Sequence, residues 1–242
     1  MDTTVAPEIW FRTVLLRNGL RVDDHALRLI ERYVDGLIRA NKSVNLISRK
    51  DEEHIWSHHI LHCVSILFAL RFPDNCRVLD LGSGGGLPGI PLKIILPDLK
   101  LTMLDATNKK IAVVKTLVND LGLSDADAVW GRAEELGAGD RFKGRFDVVV
   151  ARAVGPLEEL VRLAYPFLRT PSGSEARIEP RNAPRVLSHP CLVAYKGGDI
   201  TAELEKARRI RYVQSVQIMP LVFDGSAETA LEDKKVVIVE FT

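Results

Sequence analysis

The sequence predicts a doubly wound α/β fold, in which a mostly parallel sheet ends in an antiparallel closing strand and follows a helical N-terminal region. Two observations support this prediction. From residue 77 onward, short apolar runs alternate with helical patterns, which is typical of a parallel sheet covered on both faces. One of these runs also leads directly into a cluster of glycines, and a strand, a glycine turn and a helix often form a ligand site in such sheets.

The first part of the chain is predicted to be helical from residue 7 to about residue 70. Behind Asp23-Asp24, which predicts an acidic N-cap, apolar residues recur at steps of three and four: Leu27, Ile30, Val34, Leu37 and Ile38. A second helix is predicted to begin at Asp51, and residues 41–45 are predicted to form a loop. We therefore expect residues 1–72 to be a helical region packed on a core of residues 73–242.

The sheet is predicted from short runs rich in β-branched residues, at 77–81, 100–105, 126–130, 146–151, 192–195, 213–219 and 236–241. Helical patterns at 108–121 and 156–168 predict crossover helices. The last two runs have only a loop between them, which predicts the antiparallel closing pair. Residues 169–190 are rich in Pro, Ser, Gly and Arg without an apolar period, so they predict a long surface loop.

Composition excludes several classes of protein. The chain has 242 residues, and its 33 Lys and Arg nearly balance its 32 Asp and Glu, so no basic tail points to nucleic acid. Its 46% of hydrophobic residues argues against wholesale disorder. The three cysteines include no CxxC pair, which argues against a disulfide framework or a zinc knuckle. No signal peptide or membrane-spanning run is evident, so we expect a cytoplasmic monomer without membrane contact.

The glycine cluster follows the first predicted strand. Gly82, Gly84 and Gly86 allow a sharp turn and a close approach of the backbone to a ligand at the start of a helix. Two ligands compete for this loop, a dinucleotide and S-adenosylmethionine, and Asp105 at the end of the next strand could accept ribose hydroxyls from either. The register decides, because Asp80 and the glycines form D-x-G-x-G directly after the strand, which is typical of methyltransferases.

Seven motifs follow one another between residues 40 and 200. In chain order they are Val44-Asn45-Leu46-Ile47-Ser48, His59-Ile60-Leu61, the segment 80–92 with its two prolines, Leu104-Asp105-Ala106-Thr107-Asn108-Lys109-Lys110, Gly131-Arg132-Ala133-Glu134, Ala151-Arg152-Ala153 and Tyr195-Lys196-Gly197. Together they resemble the bacterial glucose-inhibited division protein B family of 16S rRNA guanine-N7 methyltransferases. The sequence departs from that family at His62-Cys63, where Asp-Ser is usual, and in its extended segment 169–190.

The resemblance implies a Rossmann-like fold that uses S-adenosylmethionine, and methylation of N7 of a guanine in the 530 loop of 16S rRNA. It implies 16S rRNA or the small ribosomal subunit as the partner. Two alternatives stay open: a nicotinamide-dependent oxidoreductase that uses the same glycine loop, and a non-catalytic protein that binds S-adenosylmethionine or RNA.

The candidate site residues lie at the carboxyl ends of predicted strands. Arg152 is expected to act in the transfer step or to hold the cofactor. The residues expected to bind the cofactor are Asp80, Gly82, Gly84, Gly86, Leu87, Asp105, Ala106, Thr107, Ala133, Glu134 and Arg152. RNA contacts are expected from Lys109, Lys110, Arg132 and Lys196, with Lys42, Arg49, Lys50 and Lys93 as further basic residues near the site.

Three further features bear on the chemistry. Guanine N7 carries a free lone pair, so we expect no general base, and the Asn/Asp-Pro-Pro box of amino-methyltransferases is replaced by Ala151-Arg152-Ala153-Val154. Pro190-Cys191 resembles the box of a cysteine nucleophile, but it precedes a strand, so Cys191 is expected to be buried. His54, His58 and His62 would share a helix face beside His59, and without an HExxH motif we expect RNA contact there and no metal.

Overall fold

The computed structural model describes residues 5–170 and 184–242, and it begins with two helices, α1 (Pro7–Arg17) and α2 (Asp24–Asn41). The acidic N-cap predicted for the second helix is confirmed. The Asp23 carboxylate accepts a hydrogen bond of 2.7 Å from the Ala26 amide, which satisfies one of the free amides of the first turn.

The helix predicted from Asp51 is instead a series of short turns of different winding. The segment starts as a 3₁₀ helix (Arg49–His54) and widens to a π-helical turn (Ile55–Ile60). It continues as α3 (Leu61–Val64) and ends in a 3₁₀ turn (Ser65–Phe68). Because each winding has its own number of residues per turn, the side chains that share a face differ from those of a regular helix.

The rest of the described chain alternates strands and helices. In chain order the elements are β1 (Leu70–Arg71), β2 (Arg77–Leu81), α4 (Gly89–Ile95), β3 (Lys100–Asp105), α5 (Asn108–Leu121), β4 (Ala126–Trp130), α6 (Ala133–Ala138), β5 (Val148–Arg152), α7 (Leu157–Ala164), β6 (Arg185–Val186), β7 (Cys191–Gly197), α8 (Thr201–Arg208), β8 (Val213–Pro220) and β9 (Lys234–Phe241).

Seven of these strands form one sheet in the order β4-β3-β2-β5-β7-β9-β8. The strands from β4 to β7 pair in parallel, and β9 pairs antiparallel with both β7 and β8. The predicted doubly wound sheet with an antiparallel closing strand is therefore confirmed. The order reverses between β2 and β5, which places the crevice used for ligands in such folds at the carboxyl ends of these two strands.

Both faces of the central strands are buried, as the continuous apolar runs predicted, whereas the edge strand β8 has no buried residue. Val148 and Val150 of β5 face the N-terminal helices, α4 and α5. Val149 and Ala151 of the same strand face α7 and α8 on the other side. Successive side chains of a strand point to opposite faces, so each strand contributes to both cores.

The structure corrects some predicted boundaries. The run predicted at 146–151 begins at Val148, because Phe146 forms an isolated bridge to Leu168 instead. Residues 171–183 of the predicted loop 169–190 lie outside the part of the chain that the structure describes. The later part of this loop was predicted wrongly, because β6 pairs in parallel with β1, and a strand of two residues is too short to show an apolar period.

Membrane-spanning segments can be assessed only for the described parts of the chain. None of the helices in residues 5–170 and 184–242 combines the length and the apolar content that crossing a bilayer requires.

Candidate active site

The glycine loop, residues 82–88, leaves β2 and is fastened to the end of β3. The amides of Gly82 and Ser83 both donate to the Leu104 carbonyl, at 2.8 and 3.0 Å. The Gly84 amide donates to Oδ2 of Asp105 at 3.0 Å. The acidic residue predicted to bind ribose therefore also sets the shape of the loop.

Positive φ values explain why glycines stand in this loop. Gly82 has a φ of +72° and Gly84 a φ of +57°, and L side chains rarely adopt such values. A Cβ at Gly82 would lie 2.5 Å from Cγ2 of Val154, whereas a Cβ at Gly84 would meet no atom within 4 Å. Gly84 therefore borders open space, into which a ligand can come close to the backbone.

Asp105 forms the second wall of this space. The carboxylate is 9% exposed, and its Oδ1 accepts a hydrogen bond of 2.8 Å from the Thr107 amide. Each carboxylate oxygen can accept more than one hydrogen bond, so capacity for ribose hydroxyls remains. Ala106 and Thr107 are exposed beside it, and the carbonyl of Ala106 accepts from Nε1 of Trp130 at 3.1 Å. Sequence reasoning gave no role to Trp130.

Asp80 lies beneath the loop rather than at its surface. The side chain is fully buried, and its Oδ2 accepts a hydrogen bond of 2.8 Å from the Gly89 amide at the start of α4. Burial raises the pKa of Asp80 to about 7. Within the described residues, Oδ1 of Asp80 and Oγ of Ser83 have no hydrogen-bond partner, so this side of the loop has unused polar capacity.

The N-terminal helical segment supports the glycine loop from behind. The buried hydroxyl of Tyr33 donates to the Gly85 carbonyl at 2.9 Å. Oδ1 of Asn41 accepts from the amides of Leu46 and Ile47. A Cβ at Gly85 would lie 3.3 Å from Cβ of Leu46, so the segment held by Asn41 packs directly on the loop.

The start of α6 forms a further wall of the space beside the glycine loop. Arg132 is the N-cap residue of this helix, and Ala133 and Glu134 form its first turn. The Gly131 amide donates to the Asp105 carbonyl at 3.2 Å, which holds this turn beside the end of β3. Arg132 and Glu134 are exposed and Ala133 is half-buried. Ala133 and Glu134, which are predicted to bind the cofactor, therefore follow a turn that is held against Asp105.

Arg152 ends β5, the neighbour of β2, with Leu81 opposite Ala151 in the register. Its Nη2 lies 3.1 Å from Nδ1 of His59. The next residue, Ala153, has a φ of +56°, which turns the chain sharply away from the strand. Glu158 at the start of α7 pairs with Lys206 at 3.1 Å rather than with Arg152.

A cleft of about 430 Å³ opens beside Arg152. Side chains from the segment Arg49–Phe68 and from the ends of β5, β7 and β9 line it, and we call it the Arg152 cleft: Asp51, His58, His59, His62, Arg152, Tyr195, Lys196 and Lys234. His59 lines the cleft with His58 and His62, whereas His54 packs beside His58, with ring centroids 4.9 Å apart, and does not line it. The predicted neighbours His54 and His58 are thus together, but only His58 and His62 of the three face the cleft.

The two inner histidines of the cleft are neutral at physiological pH. Burial and the nearby Arg152 cation lower the pKa of His59 to about 4 and that of His62 to about 3. No group of three or more His, Cys, Asp or Glu in residues 5–170 and 184–242 is arranged to hold a metal ion.

β7 contributes the floor of the cleft. The hydroxyl of Tyr195 donates to the Cys63 carbonyl at 2.6 Å, which joins the sheet to α3. Nζ of Lys196 donates to the Gly155 carbonyl at 2.7 Å and pairs with Glu203 at 2.5 Å. Its ammonium, predicted to contact RNA, is thus already engaged. Cys191 is fully buried at the start of the strand, away from the cleft.

The basic residues predicted to surround the site divide into two groups. Lys109 is exposed and Lys110 half-buried in the first turn of α5, and Arg132 is exposed at the start of α6. Lys93 is only 2% exposed, and its Nζ donates to the carbonyls of Pro97 and Leu99. The RNA contact expected from Lys93 is therefore wrong.

Comparison with known proteins agrees with this geometry. A family model described as rRNA small subunit methyltransferase G matches residues 26–174. A relative of that name from Moorella thermoacetica is 30% identical over 226 residues, covering 92% of this chain and 85% of the relative. Another from Chlorobaculum tepidum is 34% identical over 232 residues, covering 93% and 94%.

The fold is also found among solved structures. The crystal structure of a predicted O-methyltransferase from Agrobacterium tumefaciens matches with a TM-score of 0.52 at 13% identity, covering 76% of this chain and 80% of that one. The methyltransferase fold predicted from the glycine register is confirmed. The family match favours methyl transfer over the nicotinamide alternative. The ordered motifs, the glycine loop and the family model agree, and the chain belongs to the rRNA small subunit methyltransferase G family, the glucose-inhibited division protein B family that its motifs resemble.

Proposed function

We propose that this protein transfers a methyl group from S-adenosylmethionine to N7 of a guanine in the 530 loop of 16S rRNA. The observation that carries the proposal is the meeting of two sites at the carboxyl ends of the neighbouring strands β2 and β5. The glycine loop follows Leu81 of β2, and the Arg152 cleft opens beside the end of β5. A donor held by the loop and a base held in the cleft would meet between them.

The residues around the glycine loop fit the cofactor. Open space faces Gly84, and Asp105 can accept hydrogen bonds from the ribose. When bound, S-adenosylmethionine supplies a methyl group on a positively charged sulfur, which makes that carbon electrophilic.

The transfer needs no general base from the protein. The N7 lone pair forms the new bond to the methyl carbon, while the electrons of the carbon–sulfur bond return to sulfur, so no proton is removed beforehand. The cleft agrees with this, because His59 and His62 are neutral and the Arg152 guanidinium does not act as a base. The protein's contribution is alignment of the reacting atoms and a suitable electrostatic environment.

Arg152 is the residue best placed to orient the guanine. A guanidinium can donate hydrogen bonds to O6 of the base, which neighbours the N7 that reacts. Exposed Lys109 and Arg132 lie beyond the rim of the glycine loop, where they would contact RNA phosphates. Such contacts make RNA binding weaken as salt increases.

The test is transfer of labelled methyl from S-adenosylmethionine to small subunits and to free 16S rRNA from a strain that lacks this enzyme. We expect label on one guanine, and mass spectrometry to place the methyl on N7. Label on another ring atom or another base would overturn the proposal. The variant Arg208→Ala, which removes an exposed arginine of α8, serves as the matched control for Arg152→Ala.

A further inference from the structure

The contact between His59 and Arg152 determines the state of the imidazole. The two residues are 93 positions apart in the sequence, and Nδ1 of His59 lies 3.1 Å from Nη2 of Arg152. A guanidinium has only donors, so Nδ1 must be the acceptor, and the ring proton must lie on Nε2. A protonated imidazole would lose this acceptor and place two cations side by side.

We propose that His59 is a positioning residue for methyl transfer, which holds the Arg152 guanidinium through Nδ1 in the orientation that contacts the guanine. This inference rests on the proposed function, since it assigns Arg152 to the base. His59 itself does not touch the reacting atoms.

A nearby charge favours this form of His59, although Nε2 has no hydrogen-bond partner among the described residues. Oδ2 of Asp51 lies 3.9 Å from Nε2 of His59, where its negative charge favours a proton on that nitrogen. The imidazole is 14% exposed, so water competes little for Nδ1. The other titratable and charged groups around the cleft are His58 and His62 on the same segment, Arg152 after β5, Tyr195 and Lys196 on β7, and Lys234 on β9.

The contact with His59 holds the Arg152 side chain without neutralising its charge. No carboxylate in the described ranges, 5–170 and 184–242, lies within ion-pair distance of its guanidinium. A long arginine side chain loses considerable rotamer freedom when it is fixed. Nδ1 of His59 is a neutral acceptor, so it fixes the Arg152 side chain without neutralising the guanidinium. The charge and the other N–H groups of Arg152 therefore stay available for the base. A carboxylate in the same place would compete with O6 for the guanidinium.

The local backbone supports the assignment. His59 lies in the π-helical turn Ile55–Ile60, and such turns occur mostly as single insertions, often at functional sites. His58, His59 and His62 line the Arg152 cleft, and His54 is exposed outside it.

The experiment compares two substitutions of His59 that differ in where they place an acceptor. Oδ1 of Asn can take the position of Nδ1, whereas the carbonyl of Gln reaches the position of Nε2 instead. We expect His59→Asn to keep the single-turnover rate within about threefold, and His59→Gln and His59→Leu to lose about tenfold or more. S-adenosylmethionine affinity, measured by calorimetry, should stay unchanged in all three. Exposed His54→Gln is the matched control.

A second readout follows the proton. In long-range ¹H–¹⁵N spectra of the whole chain, His59 should carry its proton on Nε2, and Arg152→Ala should raise its pKa, because the cation that lowers it is gone. Equal rates for the Asn and Gln variants, or a proton on Nδ1, would overturn the inference. If the wild-type enzyme methylates guanine N7 while His59→Gln is fully active, only this inference fails. If no guanine N7 is methylated, the proposed function itself has failed.

Discussion

The glycine loop and the Arg152 cleft adjoin each other at the same edge of the sheet, yet they are built in opposite ways. The loop is made of backbone: its shape follows from positive φ values and from amides bound to Leu104 and Asp105. The cleft is made of side chains from one helical segment and three strands that are distant in sequence. The difference teaches that the shape of the glycine loop depends on local conformation, while the Arg152 cleft depends on the assembled tertiary structure.

The strongest way to break the loop is a bulky residue at Gly84. Gly84→Val should reduce S-adenosylmethionine affinity by about a hundredfold or more, because the side chain enters the ligand space and a β-branched residue disfavours a φ of +57°. The matched control is Gly122→Val, at the end of α5, where φ is +65° and the space is also empty. Calorimetric titration should show normal affinity for the control, although both variants lose stability.

The cleft is tested by Arg152. Removing a hydrogen bond to a charged group costs about 1.5–3 kcal/mol, so Arg152→Ala should slow transfer by about tenfold to a hundredfold. S-adenosylmethionine affinity should stay within about threefold if the guanidinium holds the base rather than the cofactor. Arg152→Lys keeps the charge but loses the planar fork, and a comparable defect there would favour geometry over charge. Parallel loss of transfer and affinity would assign Arg152 to the cofactor side instead.

Asp105 shapes the backbone of the loop and, under the proposed function, also binds the ribose of the cofactor. Asp105→Ala should weaken S-adenosylmethionine binding by about 1.5–3 kcal/mol, because ribose donors lose a charged acceptor. Asp105→Asn keeps an acceptor for the Gly84 amide, so its affinity for S-adenosylmethionine should lie between those of the wild type and of Asp105→Ala. Fluorescence or calorimetric titration gives both affinities, and unchanged binding in the Ala variant would remove Asp105 from the cofactor site.

The dependence of stability on pH tests Asp80, which is buried beneath the glycine loop. The pKa of Asp80 is about 7 in the folded state, above its ordinary value of 3.8. The folded state therefore holds this proton more tightly than the unfolded state does, so its contribution to stability is present below pH 3.8 and is lost as pH rises towards 7. Relative to Asp80→Asn, which does not titrate, the wild type should lose stability across this range in urea unfolding.

The smallest expected effect concerns the support behind the loop. Tyr33→Phe removes the hydroxyl that donates to the Gly85 carbonyl and leaves the ring in place. We expect a loss of about 1 kcal/mol in the free energy of unfolding and a drop of less than about threefold in cofactor affinity. Urea unfolding and calorimetry measure the two effects, and an affinity loss as large as that of Asp105→Ala would contradict the supporting role.

The same contrast explains which parts of the molecule were predictable. Asp80, the glycines and Asp105 lie in short stretches whose spacing reports a strand, a turn and the next strand, so the loop could be predicted from local patterns. The partner of Arg152 could not, because His59 lies 93 residues away in the sequence and meets it only after the helical segment packs on the sheet. Tyr33 and Trp130 were missed for a related reason, since each looks like an ordinary aromatic residue until its hydrogen bond to the site is seen.

The RNA contact predicted for Lys93 was wrong because the local sequence does not show the direction of a side chain. The position of Lys93 in an otherwise apolar helix beside the glycine loop suggested a basic group at the rim. The side chain instead turns inward, where two carbonyls satisfy its ammonium. Net charge and spacing do not show whether a lysine is free or engaged.

The position of β9 has a consequence for how the chain reaches its native state. This strand follows β8 in the sequence but lies between β7 and β8 in the sheet. During synthesis β8 therefore emerges before β9, its neighbour in the native sheet. It can take its native place only after β9 has been made and pairs with both β7 and β8. Lys234 at the start of β9 also lines the Arg152 cleft, so the cleft is completed only by this late, long-range pairing. A ribosome would release the enzyme in a competent form only after making nearly all of the described sheet.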